Sequence, residues 1–373
     1  MVRVVVWLNL GLLLVPCPGP ANQAQAQPPA GAIRSDKGPV EIVLVEADTV
    51  TPGSVERWKA EGFKGVAVLL DERGTEAAHR QVARHISEAS LDLYWWIEVA
   101  RNKTMAEAHP RWMATLGMHD DWQRNFTNLA EPQVTQVAKA FPWVPIGYRE
   151  TFEAHLVRID QLLRRIPTNW GGLLLNDLQG GPSSCGCGNL QCRWALDYGM
   201  RSTATKLPSD AVAASFVAEV RKRVGQKIVV PVWTTECTQI DLPPEKNQGR
   251  PSTHLCGSVA CATSTCPEAF RRQWSALSST HPGPLAVLAL HSAFHRTDPT
   301  LEGGPNWVTN AVQYVRSAQG TNAKDASPLW VVVEGGTAEE PAARRAAAQT
   351  AVETVIVARI KIDPTYEPRL ISK

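Results

Sequence analysis

The sequence alternates short apolar runs with amphipathic stretches over most of its length. The apolar runs are nearly continuous, as in Gly172–Leu178, and this pattern predicts strands that are buried on both faces. In the stretch Thr151–Ile166, apolar residues recur at the spacing of one helix face. Strands of this kind, alternating with helices, require a parallel sheet with helices on both of its faces.

Seven apolar runs predict strands, and a weaker run predicts an eighth. The strands are predicted at Glu41–Ala47, Gly65–Leu70, Leu93–Val99, Gly172–Leu178, Lys227–Thr234, Leu285–His291, Leu329–Glu334 and, more weakly, Ala358–Asp363. The helices are predicted at Ser54–Glu61, Thr75–Ala89, Thr151–Ile166, Asp210–Val224, Pro267–Ser278, Trp307–Ala318 and Ala338–Glu353.

This number of βα units predicts a (β/α)8 TIM barrel, a fold of about 250 residues before loop insertions. We expect it to form a single domain over residues 38–373, with long, Cys-rich βα loops. A doubly wound open sheet is the alternative architecture. No G-x-G-x-x-G or Walker sequence follows any predicted strand, which favours the barrel.

The N-terminus has the pattern of a cleavable signal peptide over residues 1–26. Arg3 provides the positive region, Val4–Val15 the apolar region and Ala24-Gln25-Ala26 the cleavage site. Residues 27–37 are rich in Gln, Pro and Ala and predict a disordered tail. We therefore expect a secreted or periplasmic protein with no membrane association beyond export.

The composition points away from charged partners and towards carbohydrate. The formal net charge is only +2, with acids and bases balanced, so no nucleic acid partner is expected. The chain has 13 Trp against 7 Phe and 5 Tyr, and tryptophan suits stacking on sugar rings. No cofactor is required by this prediction, and the oligomeric state is left open.

Four acidic residues stand at or just beyond the ends of predicted strands: Glu98, Asp177, Glu236 and Glu334. A TIM barrel places its active site at the carboxyl ends of its strands. Cleavage of a glycosidic bond needs one group to protonate the leaving oxygen and a second to attack or to activate water. The sequence therefore predicts a glycoside hydrolase acting on a poly- or oligosaccharide, with Asp177, Glu334 and Glu236 as catalytic candidates.

Each of these acids also has a structural alternative. Asp177 could cap the following helix or pair with a nearby arginine. Glu334 could bind a backbone N–H of the Gly335-Gly336 turn. Glu98 is expected to face the barrel interior and to position substrate rather than to react.

Further candidates for binding substrate lie beside the strand ends. Trp233, shortly before Glu236, is the best candidate for a sugar-stacking surface. His291 could bind a substrate hydroxyl or hold a carboxylate, and a core histidine bonded to backbone is its alternative. The run Tyr94-Trp95-Trp96 is expected to divide between barrel interior and helix layer, mostly as packing, with Trp96 as a possible substrate contact.

The Asn176-Asp177 pair, with Glu334 at the seventh strand, resembles the pattern of the large clan of (β/α)8 retaining glycoside hydrolases. That clan carries Asn-Glu at the fourth strand and Glu at the seventh. The resemblance implies that Asp177 is the acid/base, that Glu334 is the nucleophile and that Asn176 contacts the sugar 2-hydroxyl. Here the fourth-strand acid is Asp, one methylene shorter than Glu. An inverting arrangement, or Asp177 as nucleophile with Glu236 as acid, therefore stays open.

Two further features are similar to secreted, glycoside hydrolase-like barrels of uncharacterised function. One is the stretch HPRWM at His109–Met113, and the other is the cysteine cluster after the fourth strand. This similarity again implies a secreted barrel that acts on carbohydrate.

The cysteines that follow the signal peptide all fall in the loops after the fourth and fifth predicted strands. They are Cys185, Cys187, Cys192, Cys237, Cys256, Cys261 and Cys266. In an exported protein such a set predicts disulfides, and we expect at least one to join the two loops. The spacings match neither the common zinc pairs nor the ferredoxin runs, so no metal is predicted.

Two functions of other classes remain as alternatives. A barrel fold does not by itself imply catalysis, so the chain could be a non-catalytic carbohydrate-binding or surface protein. The clustered cysteines, with His254 nearby, could instead make it a thiolate-ligated metal protein.

Overall fold

Eight parallel strands close into a barrel in the computed structural model, which confirms the (β/α)8 TIM fold. The described residues are 38–109, 112, 136–140, 144–178, 207, 211–234, 275–290, 306–319, 327–360, 362 and 368–372. The barrel strands, in order around the barrel, are β1 (Val40–Val45), β2 (Gly65–Leu69), β3 (Asp92–Glu98), β5 (Gly172–Asn176), β6 (Ile228–Thr234), β7 (Leu285–Ala289), β8 (Leu329–Glu334) and β9 (Thr354–Ala358). Strand β9 pairs with β1 and closes the barrel.

Helices lie between the strands, close to where their periodicity predicts them. They are α1 (Pro52–Ala60), α2 (Glu76–Glu88), α3 (Lys103–Ala108), α4 (Arg149–Leu163), α5 (Val212–Val224), α6 (Asn306–Gln319) and α7 (Glu340–Gln349). Local capping sets several of their starts: the Thr51 hydroxyl accepts the Ser54 N–H before α1, and Thr75 accepts the Ala78 N–H before α2.

The core has two apolar layers, which explains why the strands are apolar on both faces. Alternate residues along each strand point to opposite faces of the sheet. Trp96 and Leu174 therefore pack inside the barrel, whereas Trp95 and Leu173 pack under the helices. Because both layers exclude water, a polar side chain at either level needs a partner within the protein.

The eighth strand lies earlier than predicted, and this is a correction. It runs over Thr354–Ala358, whereas the sequence analysis placed it at Ala358–Asp363 and extended the preceding helix to Glu353. Helix α7 ends at Gln349, and the β-branched residues that follow favour the strand.

The insertion after β3 contains regular structure that the sequence analysis did not predict. Helix α3 begins directly after Asn102, whose side chain accepts the Met105 N–H. Strand β4 (Gln136–Ala140) pairs in antiparallel fashion with β10 (Pro368–Ser372) near the C-terminus. This pairing joins segments that are far apart in the sequence, so no local pattern indicates it.

Several predictions fall outside the described residues. They are the signal peptide at 1–26, the tail at 27–37, Glu236, His291 and all seven cysteines of the two loops. These stay predictions. Within the described part of the chain, no helix combines the length and apolar character needed to cross a bilayer.

Candidate active site

The carboxyl ends of the barrel strands bring several predicted site residues to the same end of the interior. Side chains two residues apart on a strand face the same side of the sheet. Glu98 therefore faces the barrel interior like Trp96, and Asn176 faces it like Leu174. Glu98 and Asn176 are register partners on the neighbouring strands β3 and β5. Glu334 holds the corresponding inward position at the end of β8.

Glu98 is held by several donors. The Trp96 indole N–H donates to Glu98 Oε1 at 2.9 Å, and the Asn176 amide donates to Oε2 at 2.9 Å. Arg101 Nη2 lies 3.4 Å from Oε1. Burial by itself raises the pKa of Glu98, but Arg101 and hydrogen bonds from Asp177, Trp96 and Asn176 outweigh it. The net pKa is lowered, so Glu98 is ionised.

Asp177 lies directly after β5 in an unusual backbone conformation. Its φ is 61°, in the left-handed region, which Asp adopts more readily than most residues. Only 8% of the residue is exposed. Burial, repulsion from the Glu98 carboxylate and a hydrogen bond to that carboxylate raise the pKa of Asp177 well above its usual 3.8, with Arg101 opposing. This environment favours the protonated form of Asp177, whose hydrogen bond to Glu98 then uses that proton.

Glu98, Arg101 and Asp177 form the inner cluster, in which two buried carboxyl groups share one arginine. Arg101 Nε lies 3.7 Å from Asp177 Oδ2, an oxygen with no hydrogen-bond partner among the described residues. A buried, protonated carboxyl beside an ionised partner has the character of a general acid. The predicted alternative, in which Asp177 pairs with an arginine, is thus also part of the arrangement.

The two bonded carboxyls are too close to flank a substrate bond. Glycosidases separate their two catalytic carboxyls by about 5–9.5 Å. Because Asp177 donates directly to Glu98, Glu98 acts as a partner that sets the protonation of Asp177. A second reacting carboxylate has to come from elsewhere at the barrel mouth.

Glu334 is half-buried and follows the inner face of β8. The N–H groups of the turn that follows donate to other acceptors. The Gly335 N–H donates to the Ala358 carbonyl at 2.8 Å, and the Gly336 N–H donates to Glu340 Oε2 at 2.6 Å. Gly336 has φ 74°, a conformation that glycine adopts at little energetic cost. Both N–H groups of the Gly335-Gly336 turn therefore have other acceptors.

Trp96 and Asn176 are placed differently from the expected substrate contacts. Trp96 is fully buried, so its ring cannot stack on a sugar, and it acts on the site through its bond to Glu98. Asn176 is 1% exposed and gives its amide hydrogen to the same carboxylate. Trp233 lies in β6 opposite Val287, and its side chain is outside the described part.

Arg101 is the site residue that the sequence analysis missed. It stands three residues after Glu98, at the start of the segment that follows the third strand. An arginine at this spacing beside two strand-end acids is the signal that could have found it. Within the described residues, no group of three or more His, Cys, Asp or Glu side chains could hold a metal ion.

Comparison with known proteins does not assign the chain to a family. No family model matches it, and no curated protein matches it either.

Solved structures match it only distantly. An alpha-amylase from Lactobacillus plantarum is 9% identical with a TM-score of 0.42, and the match covers 88% of this chain and 72% of that one. The AHE enzyme from Alicyclobacillus herbarius is 10% identical with a TM-score of 0.42, covering 82% and 76%. A chitobiase from Flavobacterium johnsoniae is 7% identical with a TM-score of 0.41, covering 87% of this chain but 44% of its own. These likenesses are too distant to indicate an activity.

Proposed function

We propose that this protein is an exported hydrolase that cleaves glycosidic bonds in a poly- or oligosaccharide. Asp177 is the general acid and Glu334 the second carboxylate. The observation that carries this proposal is that Asp177 is buried at the end of the fourth barrel strand beside Glu98 and Arg101, an arrangement that raises the pKa of Asp177. The signal peptide predicted at residues 1–26 and the excess of Trp support an extracellular carbohydrate as substrate.

Asp177 transfers its proton to the glycosidic oxygen while the bond from that oxygen to the anomeric carbon breaks. The proton and the leaving alcohol depart together, and Asp177 is left as a carboxylate beside Glu98. Two adjacent carboxylates repel each other, and this repulsion favours return of a proton to Asp177. Arg101, within 4 Å of both side chains, offsets the negative charge during this step.

Glu334 provides the second carboxylate, either as nucleophile or as the base that activates water. Its strand, β8, lies three places from β5 around the barrel, so the two residues approach the mouth from different sides. Glu236 is the alternative second acid, with Asp177 then as nucleophile. The stereochemistry of the released sugar separates retention from inversion.

The test is a panel of neutral, acidic and amino polysaccharides, incubated with the exported protein and with its variants. Asp177→Asn keeps a residue that tolerates positive φ and removes the acid, so turnover should fall by about 10²–10⁴-fold. Glu334→Gln should reduce turnover on the same substrate. Asp160→Asn is the matched control, because Asp160 lies on the outer helix α4 and pairs with Arg223.

The result that contradicts the proposal is full turnover in Asp177→Asn, or no turnover of any polysaccharide by the wild type. Tight glycan binding without turnover favours the alternative, a non-catalytic carbohydrate-binding barrel. The observation on its side is that Asn176 and Asp177 both hydrogen-bond to Glu98 within the protein.

A further inference from the structure

Helix α4 buries an arginine on the face that packs against the barrel. The side chain of Arg158 is only 7% exposed, although a buried charge is costly unless it is paired. Its Nε donates to the carboxylate of Glu72, which follows strand β2, and its Nη1 donates to the Glu98 carbonyl oxygen at 2.9 Å. Arg158 therefore links the segment that follows β2 to the end of β3, next to the inner cluster.

Glu72 also binds Asn102, which ends the turn formed by residues 98–102 after β3. Asn102 Nδ2 donates to Glu72 Oε1 at 2.9 Å, and the Arg165 guanidinium donates to the Glu72 carbonyl at 3.3 Å. Burial raises the pKa of Glu72, but Arg158 and the hydrogen bonds outweigh it and the net pKa is lowered. Glu72 is thus a charged partner for Arg158.

Backbone hydrogen bonds also hold the segment 98–102 at Val99 and Ala100. The Val99 N–H donates to the Asn176 carbonyl at 2.9 Å, and the Ala100 carbonyl accepts the Val144 N–H at 2.8 Å. Helix α4 supports the second contact as well, because His155 Nε2 donates to the Val144 carbonyl at 2.8 Å. Burial, followed by the nearby Arg158, lowers the pKa of His155 to about 3, so its ring is neutral.

We propose that Arg158 is a positioning residue, which together with Glu72 holds the turn 98–102 so that Glu98 and Arg101 face Asp177. Both ends of this turn are bound: Glu98 by its carbonyl to Arg158, and Asn102 by its amide to Glu72. Arg101 lies between the two. Only an arginine presents separate donors to a carboxylate and to a carbonyl in one plane, so lysine cannot replace it fully.

The assignment rests on the proposed function only in that it treats the inner cluster as catalytic. The experiment that tests it needs no substrate, so its failure is distinct from failure of the proposed function. The measurement is the pKa of Asp177 by carbon NMR of carboxyl-labelled aspartate in the folded protein. The Asp177 signal is assigned by its absence from the Asp177→Asn variant.

Two variants test Arg158. Arg158→Lys keeps the charge that faces Glu72 and weakens the contact to the Glu98 carbonyl. The double variant Arg158→Met/Glu72→Gln removes both charges together, so neither is left buried and unpaired. The control is Arg164→Met, which removes an exposed arginine at the end of the same helix.

Both Arg158 variants should lower the pKa of Asp177 by about 0.5 unit or more. A looser turn admits water and moves the Glu98 charge away, and these two effects exceed the opposite effect of moving Arg101 away. Arg164→Met should leave it unchanged. Thermal unfolding is recorded alongside, since lower stability with an unchanged Asp177 pKa in both Arg158 variants would mean that Arg158 only supports the fold. That result would overturn the proposal.

Discussion

The inner cluster and a second group of charges on the outside of the barrel use the same residue types in opposite ways. The outer cluster consists of Glu41, Glu61, Glu340, Arg344 and Arg359. Arg344 Nε lies 3.0 Å from Glu41 Oε1 and its Nη1 lies 3.3 Å from Glu340 Oε1. Arg359 joins Glu61 to Glu340, and both guanidinium groups lie over the Phe63 ring.

The difference lies in the ratio of acids to arginines and in burial. The outer cluster has two arginines for three acids, and the Gly336 N–H gives Glu340 a further donor. The inner cluster has one arginine for two buried carboxyls, and one of them keeps a proton. Paired, half-exposed charges stabilise a fold modestly, whereas two buried carboxyls that share one cation are driven to different protonation states.

The largest difference should appear in the pH dependence of turnover. A general acid works only while protonated, so turnover should fall as pH rises through the raised pKa of Asp177. Glu98→Gln removes the carboxylate charge that helps to raise this pKa, so the alkaline limb should move to lower pH. For each pH unit by which the alkaline limb moves, turnover at pH values above the pKa should fall by about tenfold.

Arg344→Met is the matched change in the outer cluster, and it should leave the alkaline limb in place. The comparison fails if Glu98→Gln leaves the pH profile of turnover as it is in the wild type.

Stability should also depend on pH through Asp177. Asp177 binds its proton more tightly in the folded chain than in the unfolded chain, where its pKa is near 3.8, so the free energy of unfolding should fall as pH rises above that value towards the folded pKa. The slope is at most about 1.4 kcal/mol per pH unit. Glu98 acts in the opposite sense, below its usual 4.5.

This contribution can be measured by denaturant unfolding of the wild type and of Asp177→Asn between about pH 5 and pH 8. The variant should lose less stability than the wild type as the pH rises. Parallel curves for the two proteins would show that Asp177 is not protonated in the folded state.

Much of this arrangement could be predicted from the sequence because it depends on strand periodicity. Near-continuous apolar runs predicted the barrel, and the positions of Glu98 and Asp177 at the ends of predicted strands placed them at its mouth. The eighth strand was misplaced because a helix-like pattern ran on past Gln349. Periodicity contains no information on which side chains across two strands will pair.

The contact between Asp177 and Glu98 could not be predicted for that reason. It depends on the φ of 61° at Asp177 and on the exact approach of β3 and β5, which are set by tertiary packing. Arg158 illustrates the same limit, because an arginine within an amphipathic helix ordinarily lies in solvent.

In the outer cluster, Arg344→Met should reduce stability without changing the site. Arg344 is about a quarter exposed and contacts two acids and the Phe63 ring. We expect the free energy of unfolding to fall by about 1–2 kcal/mol, measured by urea denaturation. A change in the pKa of Asp177 in this variant would show that the two clusters are coupled.

The smallest effect is expected for Glu61→Gln, at the more exposed edge of the outer cluster. Glu61 pairs with Arg359 and is 32% exposed, so solvent screens the pair. Its loss should change the free energy of unfolding by about 0.5 kcal/mol or less. A larger loss would indicate that the outer cluster acts as one cooperative network, and a double variant with Arg344→Met would measure the coupling.

The most direct test of the central claim is the pKa of Asp177 in the wild type and in Glu98→Gln, read from the carboxyl carbon of labelled aspartate. We predict a wild-type pKa well above 3.8 and a lower pKa in Glu98→Gln, because the neighbouring charge is gone. A wild-type pKa near 3.8, or a raised pKa that is unchanged in Glu98→Gln, would contradict the assignment of Asp177 as an acid set by Glu98.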